Sequence, residues 1–351
     1  MTFRVPRFMR RPFRVTTVLK LFLLVLPACG AGLDPTNPMV GRNEGLEPTG
    51  GGTPPPAVPA DGGTADAGAS APAAANPSGI FPPDNPWNTR IDGEPVDPNS
   101  DAYIASMGAN DPLVASWDAE GNGLPYVEVG PNQAKVGMLF WGFPDESDPG
   151  PYPVPWNAPV DWSSDHHVLV VDRANGWLYE LFKASRNSDG SWDASNGARW
   201  NLRTGARRPD GWTSADAAGM PIFPGLVRYD EVSAGWIGHA LRFAVNRSQR
   251  GYVWPANHAA GSCDLGSDCP PMGLRVRLKK SVDISGFSPR MEVILRALQQ
   301  YGMFVADNSG GTSWWVAGAP DSRWSDEENL TLGSLHGRDF EVVQAGAIQP
   351  Q

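Results

Sequence analysis

Histidine is scarce in this chain, with five in 351 residues, so each position is a candidate for acid-base or metal chemistry. Asp165-His166-His167-Val168-Leu169-Val170-Val171-Asp172 leads through Arg173-Ala174-Asn175-Gly176 into Trp177-Leu178-Tyr179-Glu180-Leu181-Phe182. Two β-branched and aromatic runs around a short Asn-Gly turn predict a hairpin. With a loop of either two or four residues, Glu180 shares a face with His167, Leu169 and Val171. A four-residue loop sets Glu180 diagonal to His167, on the order of 7 Å between β-carbons, within reach of a direct or water-bridged carboxylate-imidazole contact. Both hairpin faces are apolar, so it is expected to be covered on both sides. A buried His-Glu pair there is either a satisfied structural pair or a tuned proton-transfer pair. His166 points the other way and reads as a rim residue.

Other carboxylates suit the same chemistry. Asp230 and Glu231, in Val227-Arg228-Tyr229-Asp230-Glu231-Val232, and Asp307 at a strand end join Glu180 as candidates for the acid and base of glycoside cleavage. His239 opens a strand that carries Leu241 and Phe243 on its side, and His258 follows one strand and turn later. A divalent metal would need His239, His258, His167 and a carboxylate such as Asp230 or Glu231 to converge. No HExxH or close HxH spacing supports that, and no cofactor is implied. GxSxG, phosphate-loop and dinucleotide fingerprints are absent as well.

Tryptophan supplies a binding clue. There are fourteen, and Trp141, Trp156, Trp162, Trp212, Trp236, Trp254, Trp314, Trp315 and Trp324 fall in or beside turn-rich segments. An exposed indole offers a flat apolar face with a polar edge, suited to stacking on sugar rings, although a tryptophan more often closes a core. Trp212, Trp254 and Trp324, with His258, are the candidate ligand contacts.

The elements that must position these residues are mostly strands. Runs at 126–129, 136–141, 167–172, 177–182, 237–245, 274–278, 303–306, 314–316 and 340–343 are β-rich with Gly or Pro between them. Ser288 and Pro289 predict a helix start, Met291, Ile294, Leu295 and Leu298 its buried face, and Gly302 its end. Shorter helices are expected near 97–106, from Thr213 with Asp216 as a capping-box partner, and from Ser325. The fold class expected is mainly β with a few helices (α+β), one globular domain over 80–345 with a sandwich-like antiparallel or mixed sheet and a tail at 346–351.

Ahead of it, Arg4, Arg7, Arg10, Arg11, Arg14 and Lys20, the apolar Leu21 to Leu26, and Pro27-Ala28-Cys29 form a lipoprotein-type leader over 1–28. Acylation of Cys29 would anchor the chain to a membrane at the cell envelope, on the outer membrane or cell surface. Residues 29–79 are rich in Gly, Pro and Ala with no aromatic side chain, a flexible tether reaching on the order of 40 Å. An oxidising compartment lets Cys263 and Cys269 close a local disulfide. Loss of the leader's six basic residues takes the net charge from -10 to -16. That acidity argues against nucleic-acid partners. Arg203, Arg207 and Arg208 read as a solvated face, and a monomer is expected.

The segments Phe81-Pro82-Pro83-Asp84-Asn85-Pro86-Trp87-Asn88, Asp145 to Pro153, Arg208 to Gly219 and Pro270 to Arg275 together resemble a family of secreted bacterial proteins of uncharacterised activity. The resemblance implies one intact globular unit over 81–343, brings no catalytic residue, and favours His167 over His166. The combined reading is a surface-tethered protein that acts on extracellular polysaccharide through acid-base chemistry in a Trp-lined cleft. The alternatives are a non-catalytic glycan- or envelope-binding protein and a histidine-dependent metallohydrolase.

Overall fold

The hairpin of residues 168–182, central in its sheet, follows from its loop length. The computed structural model describes Ile80 through Gln351, so Cys29, the leader and the tether lie outside the described residues. In chain order the early strands are β1 (Leu113–Ser116), β2 (Tyr126–Glu128), β3 (Met138–Phe140), β4 (Val168–Asp172), β5 (Trp177–Phe182), β6 (Ser185–Arg186), β7 (Trp192–Ala194) and β8 (Asn196–Asn201). The later ones are β9 (Leu241–Val245), β10 (Gly251–Tyr252), β11 (Arg275–Leu278), β12 (Met303–Asn308), β13 (Trp314–Ala317), β14 (Phe340–Val342) and β15 (Gln349–Pro350). Asp172 pairs with Trp177 across a four-residue loop, and Leu169 pairs with Glu180, which places Glu180 diagonal to His167.

The fold is mainly β with several mixed sheets and four helices, a single α+β domain. One sheet has the order β1-β13-β9-β12-β11-β14, in which β9 and β12 run parallel with a bulge between Val305 and Asp307. A second, β2-β4-β5-β8, holds the hairpin at its centre, and a third is β3-β7-β6. Leu169, Val171 and Leu178 join the main core with β9 and β12, while Val168, Val170, Tyr179 and Leu181 pack into a smaller core with Tyr152 and Trp192. The hairpin is therefore covered on both faces, as its two apolar faces require.

Helix α1 spans Ser100–Met107, α2 Tyr229–Ser233, α3 Pro289–Gln300 and α4 Asp326–Leu330. In α3, Ser288 Oγ accepts from the Met291 amide, Pro289 takes the first helical position, and Met291, Ile294, Leu295 and Leu298 are buried. It packs on β11 and hands the chain to β12 through Gly302, where φ is +65° and a β-carbon would lie 2.2 Å from the Val276 carbonyl. Only glycine fits there.

No helix forms at Thr213. Segment 213–228 is irregular apart from a short 3₁₀ turn at Phe223–Gly225 and a single β-bridge from Val227 to Gly318. The Thr213 amide donates to Glu146 and not to Asp216, whose two oxygens are taken by Arg242 and the Ala218 amide; Gly219 has φ of +70°, and Pro221 and Pro224 lack the amides a helix needs. At the far end, β15 pairs with β10, so the segment expected as a tail is part of a sheet. Among the described residues no helix is long and apolar enough to cross a membrane.

Candidate functional site

Segment 213–228 is almost wholly buried, and a buried coil needs partners for every N–H and C=O it does not pair in a ladder. Side chains supply them. His167 donates from Nε2 to the Ala215 carbonyl at 3.0 Å, and His258 donates from Nδ1 to the Ala217 carbonyl at 2.8 Å. Asp216 accepts from the Ala218 amide at 2.8 Å. Glu180 accepts from the Ile222 and Phe223 amides at 2.9 Å, and Arg228 donates to the Phe223 carbonyl at 2.8 Å. Two of the candidate acid-base residues, His167 and Glu180, are thus struts for one strap of chain, together with the candidate ligand contact His258.

His167 is an imidazolium in this arrangement. Its Nδ1 lies 2.6 Å from Asp161 and its Nε2 faces a carbonyl, so both ring nitrogens meet acceptors and both carry hydrogen. Burial opposes the charge, but Asp161 outweighs it and raises the pKa to about 8. Glu180 is wholly buried, and burial lifts its carboxyl to about 7 against the pull of the two amides. The two side chains share a face without touching, each being turned to a different part of the strap.

The remaining candidates are dispersed. Asp230 is exposed and pairs with Arg323 at 2.7 Å. Glu231 is clamped by Arg228 at 2.7 Å and lies 3.2 Å from His239; burial disfavours its charge, yet these partners, Arg228 foremost, hold its pKa down at about 2. His239 donates its Nδ1 hydrogen to the Ala240 carbonyl at 2.8 Å. Arg242 is held by Asp216 at 2.7 Å and lies 3.7 Å from Asp307. Asp307 keeps 34 % of its side chain exposed, although the protein around it raises its pKa to about 6 with Arg242 opposing. Of the named acids and bases, it alone combines an accessible carboxyl with a pKa near neutrality.

Among the described residues no group of three His, Cys, Asp or Glu side chains is arranged to hold a metal ion. His239 and His258 are committed separately, so the convergence that a metal reading needs is not formed. Cys263 and Cys269 do form a disulfide.

The tryptophans divide by tertiary position. Trp141, Trp156, Trp162 and Trp254 are exposed. Trp324, expected as a ligand contact, is 5 % exposed, donates its indole N–H to the Ala319 carbonyl and packs edge-on against Tyr229, so it belongs to the core. Trp212 is half-buried under the guanidinium of Arg208. Arg208, read from sequence as part of a solvated face, is buried between Trp200 and Trp212 and bonded to Asp148.

A cleft of about 230 Å³ opens on the other side of the strap. Its lining draws on the segment around Phe81, Asn85 and Trp87, on Trp200 and Arg207, on Gly219 to Pro221 of the strap, and on Trp254, Pro255 and Asn257. Gly219 is obligatory, because a β-carbon there would stand 2.9 Å from the Trp212 carbonyl and 3.0 Å from Asn257. Trp254 is 59 % exposed and presents its indole at the cleft. Trp87 and Asn257 are only 3 % and 1 % exposed. No described residue bonds the Trp87 indole N–H, and Asn257 uses its Nδ2 on the Pro209 and Trp212 carbonyls while its Oδ1 has no donor. Neither atom is among the fully enclosed unpaired polar atoms of the described residues. Two residues that line the cleft, Trp87 and Asn257, thus carry an indole N–H and an amide oxygen with no partner among the described residues.

No protein-family model, curated protein or solved structure matches this chain. Sequence reasoning singled out Trp254 of this cleft but missed Phe81, Asn85, Trp87, Trp200 and Asn257 as contacts. The dense Asn and Trp usage in Asn85-Pro86-Trp87-Asn88 and Trp254-Pro255-Ala256-Asn257 was the available signal.

Proposed function

We propose that this protein binds carbohydrate, without cleaving it, in the cleft walled by Trp87, Trp200 and Trp254. One observation carries the reading: the exposed Trp254 lines one cleft with Trp87 and Asn257, whose indole N–H and amide oxygen have no partner among the described residues, and no carboxylate or histidine lines it. A pyranose has the matching chemistry, with apolar C–H faces to stack and hydroxyls that both donate and accept. At about 230 Å³ the cleft is smaller than the ~300–1,000 Å³ of most small-molecule sites, which suits one ring or a chain end. Joined to a lipid at Cys29 after loss of the leader at 1–28, the domain would be displayed at the cell envelope as a glycan-binding surface protein.

Catalysis finds less support. His167 has no lone pair to accept a proton, Glu180 has no access to ligand, and Glu231 is too firmly ionised to act as an acid.

The test is calorimetry and tryptophan fluorescence of the full chain against a panel of mono- and oligosaccharides, with reducing ends followed in parallel. Binding without turnover is expected, and Trp254→Ala should weaken it about tenfold or more, as loss of an aromatic anchor does, with little change in melting. Absence of binding to any saccharide, or wild-type affinity in Trp254→Ala, overturns the proposal.

A further inference from the structure

We propose that the cleft selects saccharides that carry a carboxylate, which takes up the open edge of the Arg207 guanidinium. This rests on the carbohydrate reading above. Arg207 is the one charged side chain along the described cleft lining. Its Nη2 donates to Asp210 at 2.5 Å and to the Ala256 carbonyl at 3.0 Å, two bonds that fix the plane of the group. Nε and Nη1 have no partner among the described residues. A guanidinium is a permanent cation, so unfilled charged donors stand in a cleft otherwise lined by uncharged residues.

A ring stacked at Trp254 whose substituent is a carboxylate would meet those donors in charge-assisted hydrogen bonds. Both Nη2 hydrogens are already taken, so the contact is made through Nη1 or Nε singly and not as a full two-pronged fork. The preference over the uncharged sugar is therefore about tenfold, the size of one such bond in a partly wet site. Asp210, mostly exposed, holds the same guanidinium from outside the cleft lining and partly neutralises it.

That competition gives two variants of opposite sign. Affinities of the full chain for glucuronic and galacturonic acid and for glucose and galactose are measured by calorimetry at about 0.15 M salt, which damps the protein's overall negative field. Wild type should favour the acid over its neutral counterpart about tenfold. Arg207→Gln should bring that ratio close to one, and Asp210→Asn should raise it about threefold by freeing the cation. A wild-type ratio near one with sugars still bound, or a ratio that neither variant moves, overturns the selection of acids and leaves the carbohydrate reading standing. Failure to bind any of the four sugars overturns both.

Discussion

Replacing Glu180 by glutamine should remove a defined piece of the pH dependence of stability. Burial places the native carboxyl at about 7, against an ordinary value of 4.5. Between those values the native state holds a proton that the unfolded chain has released, so stability falls as pH rises. Glu180 costs nothing below pH 4.5 and its full penalty above pH 7. A gap of about 2.5 units corresponds to about 3 kcal/mol. In Glu180→Gln the amide oxygen can still accept from Ile222 and Phe223, because Oε1 already serves both amides. The new NH₂ sits where Oε2 accepted from Ile222, and a buried donor facing a donor costs about 1–3 kcal/mol. The variant should therefore be less stable than wild type near pH 4.5 and equal or better near pH 8. Chemical denaturation followed by tryptophan fluorescence at several pH values gives the difference between the two proteins. Asp307, His167 and Glu231 titrate in both and largely cancel. A difference that stays constant from pH 4.5 to 8 would refute the assignment of a buried, proton-holding carboxyl to this position.

His167 should act in the same direction for a different reason. Its native pKa of about 8 exceeds the ordinary 6.5, so its contribution of about 2 kcal/mol is complete below pH 6.5 and is lost as pH passes through 8. The stability advantage of wild type over His167→Gln should shrink by that amount between pH 6 and 9, and an imidazole titrating below 6.5 by NMR would contradict it. Gly219→Ala forces a side chain into a left-handed backbone and against the Trp212 carbonyl, so both the melting temperature and saccharide affinity should fall. An unchanged melting temperature would show that the strap is looser than its contacts imply.

Local rules made much of the fold legible. The Leu169–Glu180 register follows from strand parity and the length of the Arg173–Gly176 loop, and α3 follows from Ser288, Pro289 and the spacing of its apolar residues. All nine runs read as strands contain one, with ends shifted by a few residues. What failed was decided at long range. Strand β8, Asn-Gly-Ala-Arg-Trp-Asn, has little intrinsic β-preference and exists through its pairing with β5. Thr213 and Asp216 look like a capping box, but the Thr213 amide is taken by Glu146 from a distant part of the chain and one Asp216 oxygen by Arg242 across the core. The cleft joins residues near 85, 207 and 257, and no spacing rule connects them. Trp254 and Trp324 both sit beside turns in sequence, and only tertiary packing exposes one and buries the other.

Shifted titration and function part company in this protein. A carboxyl near 7 and an imidazole near 8 on one face ordinarily point to an acid-base centre. A proton carrier, however, must keep a free lone pair or proton within reach of a ligand. His167 and Glu180 spend their bonds on Asp161 and on the backbone of 213–228, and their shifts record the cost of burying charge to hold a coil in the core. Unspent hydrogen-bonding capacity lies elsewhere, on Trp87, Asn257 and Arg207, at the cleft that the strap helps to wall. Ordering residues by the bonds they have left, not by how far their pKa has moved, separates the scaffold from the cleft proposed to bind carbohydrate.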